Sequence, residues 1–202
     1  MGEAAKGTNS AEAELLRRAS KGDEAAFLLL YERHRGAVFR FAFRLLGSQT
    51  LAEDVTHDCF LSLLRRPEGY LPERASLRTY LCAAARNLAY KQFRRLGVET
   101  VVEEVPEPAP DPVEPEPLRK LLSEEVVDEV RRAVSSLPPL QREALILFEY
   151  EEMSLADIAR VAEVDVGTIK SRLHRARERL RRTLGPWMTQ RSVATASLET
   201  RQ

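Results

Sequence analysis

The stretch at residues 104–117, EVPEPAPDPVEPEP, limits the fold of this chain more than any other segment. Its six prolines remove backbone donors and cannot continue a helix, and its carboxylates repel one another and extend the backbone. The wider segment 98–118 carries seven acidic residues and no basic one. We therefore predict an acidic, proline-rich linker at 98–118 that separates two compact bodies.

Both bodies show the period of amphipathic helices and neither shows the alternation of strands, which predicts an all-α fold. Gly47 follows a long apolar-periodic stretch and is placed to end its helix. Helices are predicted at 11–20, 24–46, 50–65 and 76–95, and after the linker at 122–135, 139–150, 154–162 and 166–184. The two small helical domains are therefore expected at 11–97 and 119–184, with residues 1–10 and 185–202 disordered.

Local signals near the end of the chain predict a helix-turn-helix. Ser154 and Asp157 have the spacing of a capping box, and Asp165 can cap the following helix, where its charge suits the positive end of the dipole. Between them, LADIARVA followed by EVD indicates a short helix and a tight turn. The second helix of such a unit can enter a DNA major groove.

Charge along this last helix has one dominant sign, although the whole chain has a formal net charge of zero. Residues 167–182 carry seven basic residues and one acid, arranged around an apolar stripe that includes Ile169, Leu173 and Ala176. One interpretation is a solvated helix that keeps the protein soluble. The other is a helix that binds a polyanion, which the near-single sign favours because mixed signs serve solubility better.

The segment 137–180, LPPLQREALILFEYEEMSLADIARVAEVDVGTIKSRLHRARERL, resembles region 4 of the sigma-70 family of bacterial transcription initiation factors. SLADIA followed at the family spacing by GTIKSRLHRAR is more specific than a generic helix-turn-helix. The subclass it resembles is the extracytoplasmic-function type, which keeps only regions 2 and 4. Glu163 stands where the family usually has glycine, and a left-handed backbone there would cost glutamate on the order of 1 kcal/mol.

The first body resembles region 2 of the same family. AEDVTHDCFLSLL at 52–64 is similar to the helix that docks on the clamp helices of the largest RNA polymerase subunit. SLRTYLCAAARNLAYKQFRR at 76–95 is similar to the regions that capture and melt the −10 promoter element. This sequence departs from the family at Tyr80, Leu77, His57 and Lys91, which affects fine promoter preference and not the role.

The resemblance implies three sets of contact residues. Polymerase docking falls on Glu53, Asp54, His57 and Asp58. Binding of the −10 strand falls on Arg86, Asn87, Lys91, Arg94, Arg95 and Tyr80. Binding of the −35 element falls on Thr168, Lys170, Ser171, Arg172, His174 and Arg175, because direct readout favours the N-terminal half of a recognition helix.

The cationic and aromatic residues of the first body suit the binding of a single nucleic-acid strand. Cations can follow the phosphates while the aromatic faces of Tyr80, Tyr90 and Phe93 stack on unpaired bases. Core packing is the alternative role for these aromatics. The loop at 66–75 is the candidate for a pocket that receives a base taken out of the stack.

The implied partners are core RNA polymerase, through its clamp helices and flap region, and promoter DNA. Many members of the family are held inactive by an anti-sigma protein, so such a partner is possible here. The linker is either a plain spacer or, as the family suggests, a mimic of nucleic acid inside a basic polymerase channel.

Two other classes of function fit parts of the sequence. The pair His57–Asp58 is the core of a metal-dependent phosphohydrolase motif, but only His34 and His174 remain as further histidines. An autonomous helix-turn-helix regulator would bind its operator unaided, whereas a sigma factor needs polymerase. No G-x-x-x-x-G-K-[ST], H-E-x-x-H or G-x-S-x-G motif occurs. We therefore predict a transcription initiation factor and not an enzyme, with no metal, cofactor or small-molecule substrate.

No apolar run approaches the length of a membrane-spanning helix, and the N-terminus lacks the apolar core of a signal peptide. We expect a cytoplasmic protein without membrane insertion. Cys59 and Cys82 lie in helical patterns and are expected to be reduced core thiols, with a redox pair as the alternative.

Overall fold

The computed structural model describes the backbone of residues 2–97 and 124–199 and the side chains of 7–97 and 126–187. The linker predicted at 98–118 and the last three residues lie outside these ranges. Within them the regular structure is helical and contains no strand, which confirms the all-α class. None of the helices in these ranges is long and apolar enough to cross a bilayer.

Four helices form the N-terminal body, and polar caps define where three of them begin. They are α1 (Gly2–Ala19), α2 (Glu24–Leu46), α3 (Gln49–Arg65) and α4 (Leu77–Arg95), with a 3-10 turn at Pro67–Gly69. Asp23, Ser48 and Ser76 each accept a hydrogen bond from a backbone N–H in the first turn of α2, α3 and α4. Gly47 ends α2 in the left-handed conformation at φ 68°.

The core of this body lies where α2, α3 and α4 meet. Phe41, Leu45, Val55, Leu63 and Leu81 are buried there. Cys59 and Cys82 are also buried and free. Burial raises the pKa of each thiol to about 12, so neither forms a thiolate at neutral pH.

Helix α1 begins at Gly2, whereas the sequence interpretation placed a disordered segment at 1–10. Alanine and glutamate favour helix in this segment, and α1 is anchored by contacts outside itself. The Asn9 amide donates to the carbonyl of Pro72 at 3.0 Å, and the buried Glu12 carboxylate lies 2.9 Å from His34 Nε2. Although burial raises the pKa of Glu12, hydrogen bonds and charge from His34 and Arg33 lower it overall.

The C-terminal body consists of α5 (Glu124–Ser135), α6 (Pro139–Leu145), α7 (Leu155–Ala162) and α8 (Val166–Glu199). A π-helical segment, Ile146–Tyr150, continues α6, where the sequence predicted one α-helix over 139–150. Leu137, Ile146, Leu147, Ile158 and Ile169 form its buried centre. The two bodies are in contact, because α4 packs against α7 and α2 packs against α6 and the π-helical segment.

Helix α8 continues to Glu199, beyond the end predicted at 184 and through the tail expected to be disordered. Pro186 lies inside it. Extending an existing helix costs far less than starting one, which is a physical reason for α8 to run past its packed portion.

Candidate nucleic-acid and polymerase interfaces

The four residues assigned to polymerase docking share one exposed face of α3. Glu53, Asp54, His57 and Asp58 are all exposed, and their i, i+1, i+4, i+5 spacing places them side by side. The opposite face packs into the core through residues such as Val55. Gln49 at the start of the helix donates to the Glu53 carboxylate at 2.9 Å. The structure therefore brings these residues together as a continuous acidic surface.

A second surface runs along α4, where the exposed residues Asn87, Lys91, Arg94 and Arg95 share one face. Arg86, the fifth polar residue assigned to the −10 strand, differs from them because its side chain is only 16% exposed and is paired with Glu143. We call these five residues the α4 strip.

Two of the three aromatics expected to stack on bases are core residues. Tyr90 is 8% exposed and Phe93 is 6% exposed, and their rings meet edge to face at 5.7 Å. The expectation that they present free faces is therefore wrong for this conformation. Phe93 continues the buried i, i+4 series Leu77, Leu81, Ala85, Ala89, and that period is a sequence signal that would have identified it as core.

Tyr80 is half-buried and packs against Tyr70, with ring centroids 5.8 Å apart. Tyr70 belongs to the loop at 66–75, the candidate base pocket, and it is buried. A cleft of about 240 Å³ lies between this loop and α1, lined by Leu16, Arg17, Ser20, Pro67, Glu68 and Tyr70 among others. The loop therefore has a cleft beside it, while the ring of its Tyr70 packs against Tyr80.

The helix-turn-helix forms as its capping signals indicate. The Ser154 hydroxyl accepts from the N–H of Asp157 at 3.1 Å and donates to the Asp157 carboxylate at 2.6 Å. Asp165 accepts from the N–H and the hydroxyl of Thr168 at 2.8 and 2.6 Å. These hydrogen bonds lower the pKa of the Asp165 carboxyl, so the cap is ionised at neutral pH.

Glu163 adopts the left-handed conformation in the turn, with φ 55° and ψ 44°. Its N–H donates to the carbonyls of Ala159 and Arg160, so glutamate ends helix α7 in a conformation that favours glycine. The turn is therefore strained at Glu163.

We predict that Glu163→Gly raises the free energy of unfolding by about 0.5–1 kcal/mol, because glycine has no Cβ to clash in this conformation. The measurement is the urea midpoint of the purified chain. Glu178→Gly, inside helix α8, is the control with the opposite sign and should lower stability by roughly 1 kcal/mol. A Glu163→Gly midpoint below that of the wild type would contradict the assignment of strain.

Helix α8, the candidate recognition helix, buries Ile169, Leu173 and Ala176 and turns its basic side outward. Of the six residues assigned to the −35 element, four form one exposed face: Lys170, Ser171, His174 and Arg175. Thr168 and Arg172 are half-buried. The hydroxyls of Thr168 and Ser171 already donate to Asp165 and to the Gly167 carbonyl, which leaves the cations and His174 as the freer groups.

A metal centre is not formed by the side chains described, since no three His, Cys, Asp or Glu groups among them come close enough to hold an ion. His57 and Asp58, the pair considered as a phosphohydrolase motif, are exposed on α3. His34 is engaged with Glu12.

Comparison with known proteins decides the family. Residues 30–98 match the family described as "Sigma-70 region 2", and residues 128–180 match the family described as "Sigma-70, region 4". SigM of Mycobacterium tuberculosis, an ECF RNA polymerase sigma factor, is 33% identical over 175 residues, which are 86% of this chain and 85% of that protein. The chain belongs to the ECF branch of the sigma-70 family.

Two further comparisons agree with this sigma-70 membership. The ECF RNA polymerase sigma factor SigE of Mycolicibacterium smegmatis is 34% identical over 168 residues, which are 79% of this chain but 63% of that protein. The chain thus spans less than two-thirds of the length of that relative. The sigma factor RpoE of Bartonella quintana, solved in complex with the anti-sigma factor NepR, matches with a TM-score of 0.63 at 28% identity, over 79% of this chain and 96% of that one.

Three buried charged residues of this sigma-70 chain were missed by the sequence interpretation. Arg142, Glu143 and Glu151 are at most 2% exposed, and all three contact the N-terminal body. A signal existed for the first two, because REALIL places a charged pair directly beside a continuous apolar run. No local pattern in the sequence indicates which residues these three side chains contact.

Proposed function

We propose that the chain is a transcription initiation factor that binds core RNA polymerase, directs it to specific promoters and helps melt the −10 element. The observation that carries the proposal is the occurrence of family regions 2 and 4 in one chain, each with most of its assigned contact residues on an exposed face. An autonomous regulator needs only the second of these. The family matches likewise favour this function over a metal-dependent phosphohydrolase.

In this proposal, each of the three exposed surfaces binds a different part of the polymerase–promoter complex. The acidic face of α3 suits a basic patch, which we assign to the clamp helices of the largest polymerase subunit. The α4 strip would follow the phosphates of the non-template −10 strand. The outer face of α8 would enter the major groove of the −35 element, with region 4 also meeting the polymerase flap. In this proposal the chain supplies recognition and no catalytic group, and it works in the cytoplasm beside its polymerase.

An anti-sigma factor is a further proposed partner. The support is that RpoE of Bartonella quintana, at 28% identity, was solved in complex with one.

Run-off transcription from fragmented genomic DNA, with core polymerase alone or with added chain, tests the main proposal. New transcripts that require the chain are expected, with start sites preceded by shared −10 and −35 elements. A chain that binds duplex DNA tightly and selectively without polymerase, yet adds no transcripts, would point to the autonomous regulator instead.

Asp54→Ala should weaken binding to core polymerase by about 5- to 10-fold, because it removes a charge from the middle of the docking face. The measurement is the Kd for fluorescently labelled chain and core enzyme. Glu14→Ala, an exposed acid on α1 whose side chain is 53% exposed, is the matched control and should leave the Kd unchanged. Equal affinity for wild type and Asp54→Ala would remove Asp54 from the docking surface.

A further inference from the structure

Helix α1 reaches the loop at 66–75 from outside the residues that match the family. The match to region 2 begins at residue 30, whereas α1 ends at Ala19. The side-chain amide of Asn9 donates to the backbone carbonyl of Pro72 at 3.0 Å, and 63 positions separate the two residues. This hydrogen bond joins α1 directly to the loop that is the candidate base pocket.

The face of α1 that carries Asn9 is fixed against the core. Glu12 lies one turn further along the same face, because residues three apart on a helix are neighbours. Its buried carboxylate accepts a hydrogen bond from Arg33 at 3.4 Å and lies 2.9 Å from His34 Nε2, both on α2. Leu16 follows on that face and is also buried. Asn9 therefore projects from a helix whose position is set by its packing on α2.

The first turn of the loop is held by burial. Tyr70 is 5% exposed, and its ring packs against Tyr80 of α4. A Cβ added to Gly69 would lie 3.0 Å from the Tyr80 hydroxyl, so the loop backbone approaches α4 closely here. Burial, and then the charge of Glu12, raises the pKa of Tyr70 to about 12, as expected of a hydroxyl enclosed near α1. Packing against α4 and α1 therefore fixes the first turn.

The second turn of the loop is more exposed than the first. Its backbone closes through the N–H of Arg74, which donates to the carbonyl of Leu71 at 3.0 Å. The side chains of Leu71, Glu73 and Arg74 are exposed, so burial contributes little to holding this turn. Pro72 has a fixed φ angle, which reduces the number of conformations open to the free loop. A single hydrogen bond from Asn9 can therefore decide where the second turn lies.

We propose that Asn9 is a positioning residue for −10 recognition, which holds the second turn of the loop in place for the base taken out of the stack. The inference rests on the proposed function and on the assignment of this loop to such a base. Asn9 acts through the backbone of Pro72 and makes no contact with DNA. A preorganised loop binds with less loss of conformational freedom, whereas a mobile loop adapts to more than one base. Part of the −10 specificity is therefore determined on α1.

Asn9→Ala removes the amide and tests this role in complete transcription reactions. Promoters randomised over the −10 and −35 elements are transcribed by core polymerase with the wild-type or the variant chain, and the transcripts are sequenced. Preference for the favoured base should fall by about 2- to 10-fold at the −10 position that the loop receives, the range expected for the loss of one hydrogen bond. Preferences at the −35 positions should not change.

Hydrogen exchange of the free chain measures the loop itself. The amides of Arg74 and Ala75, which both donate to the carbonyl of Leu71, should exchange about 2- to 10-fold faster in Asn9→Ala. Amides in the middle of α2 and α3 should keep their wild-type rates. Ser10→Ala is the matched control, since Ser10 is the next residue on α1 and is exposed. This control should equal the wild type in both measurements.

Asn9→Asp carries the same test if Asn9→Ala has lost helix by circular dichroism. The aspartate keeps the shape of the side chain, but its ionised carboxylate cannot donate to Pro72. Faster exchange of the two loop amides together with a changed −10 preference, absent from Ser10→Ala, supports the positioning role. Unchanged exchange, unchanged −10 preference or an equal loss of transcription from every promoter overturns it.

The wild-type reactions distinguish this inference from the proposed function on which it rests. A wild-type chain that directs no transcripts refutes the proposed function and the positioning role with it. A wild-type chain that directs transcription, with Asn9 variants that select the same −10 bases, refutes the positioning role alone.

Discussion

Arg175→Ala is expected to reduce transcription from the promoters that this chain selects by roughly 5- to 150-fold, because one bidentate contact to a base edge is worth about 1–3 kcal/mol. Arg175 lies on the exposed face of α8, within its N-terminal half and next to His174. The measurement is run-off transcription at saturating core polymerase, on promoters first identified with the wild type. Binding to core polymerase should not change.

The matched control is Arg132→Ala, on α5, whose arginine side chain is 71% exposed and pairs with Glu129 on its own helix. This variant loses an exposed arginine without touching the recognition helix and should transcribe like the wild type. If both variants lose activity equally, the effect comes from net charge and not from a base contact. If Arg175→Ala transcribes normally, Arg175 is not a −35 contact.

Arg142→Met is expected to lower the free energy of unfolding by roughly 2–3 kcal/mol. The Arg142 guanidinium donates to the carbonyls of Leu45 and Leu137, at 3.0 and 3.3 Å. Leu45 lies in the last turn of α2, where carbonyls have no partner within the helix. The Arg142 guanidinium therefore supplies a hydrogen-bond donor to a carbonyl at the end of α2. Losing the donor leaves two buried carbonyls unpaired, at about 1–3 kcal/mol each.

Part of that loss is offset, because methionine does not carry a buried charge. Burial lowers the pKa of Arg142 to about 10, because the apolar surroundings disfavour the charged guanidinium. Urea unfolding followed by circular dichroism measures the net change, with Arg132→Met as the exposed control. A variant as stable as the wild type would mean that desolvation of the charge cancels both hydrogen bonds.

Helix ends were predicted well wherever a short-range signal existed. Gly47 ends α2 at the residue expected, and Ser154 and Asp165 cap the two helices of the helix-turn-helix. The acidic face of α3 and the exposed part of α8 also follow from spacing, because residues four apart share a face whatever the rest of the fold does. The assignment of those faces to polymerase and DNA stays a prediction that the experiments above test.

Predictions that depended on partners outside the element were less successful. Helix α1 starts at Gly2, nine residues before the predicted start, and part of it is anchored by Asn9 on the loop around Pro72. Tyr90 was assigned to base stacking but is buried under Glu143, a residue 53 positions away. No pattern within α4 distinguishes a tyrosine that faces DNA from one covered by another body.

The sequence by itself determined the helical class and the capped helix-turn-helix, because each depends on interactions within a few residues. Only the tertiary structure decided that Arg142, Glu143 and Glu151 are buried between the bodies. Their partners lie 97, 57 and 73 positions away, at Leu45, Arg86 and Arg78. A charged residue is stable in the interior only where such a partner meets it, and that meeting is a property of packing and not of local sequence.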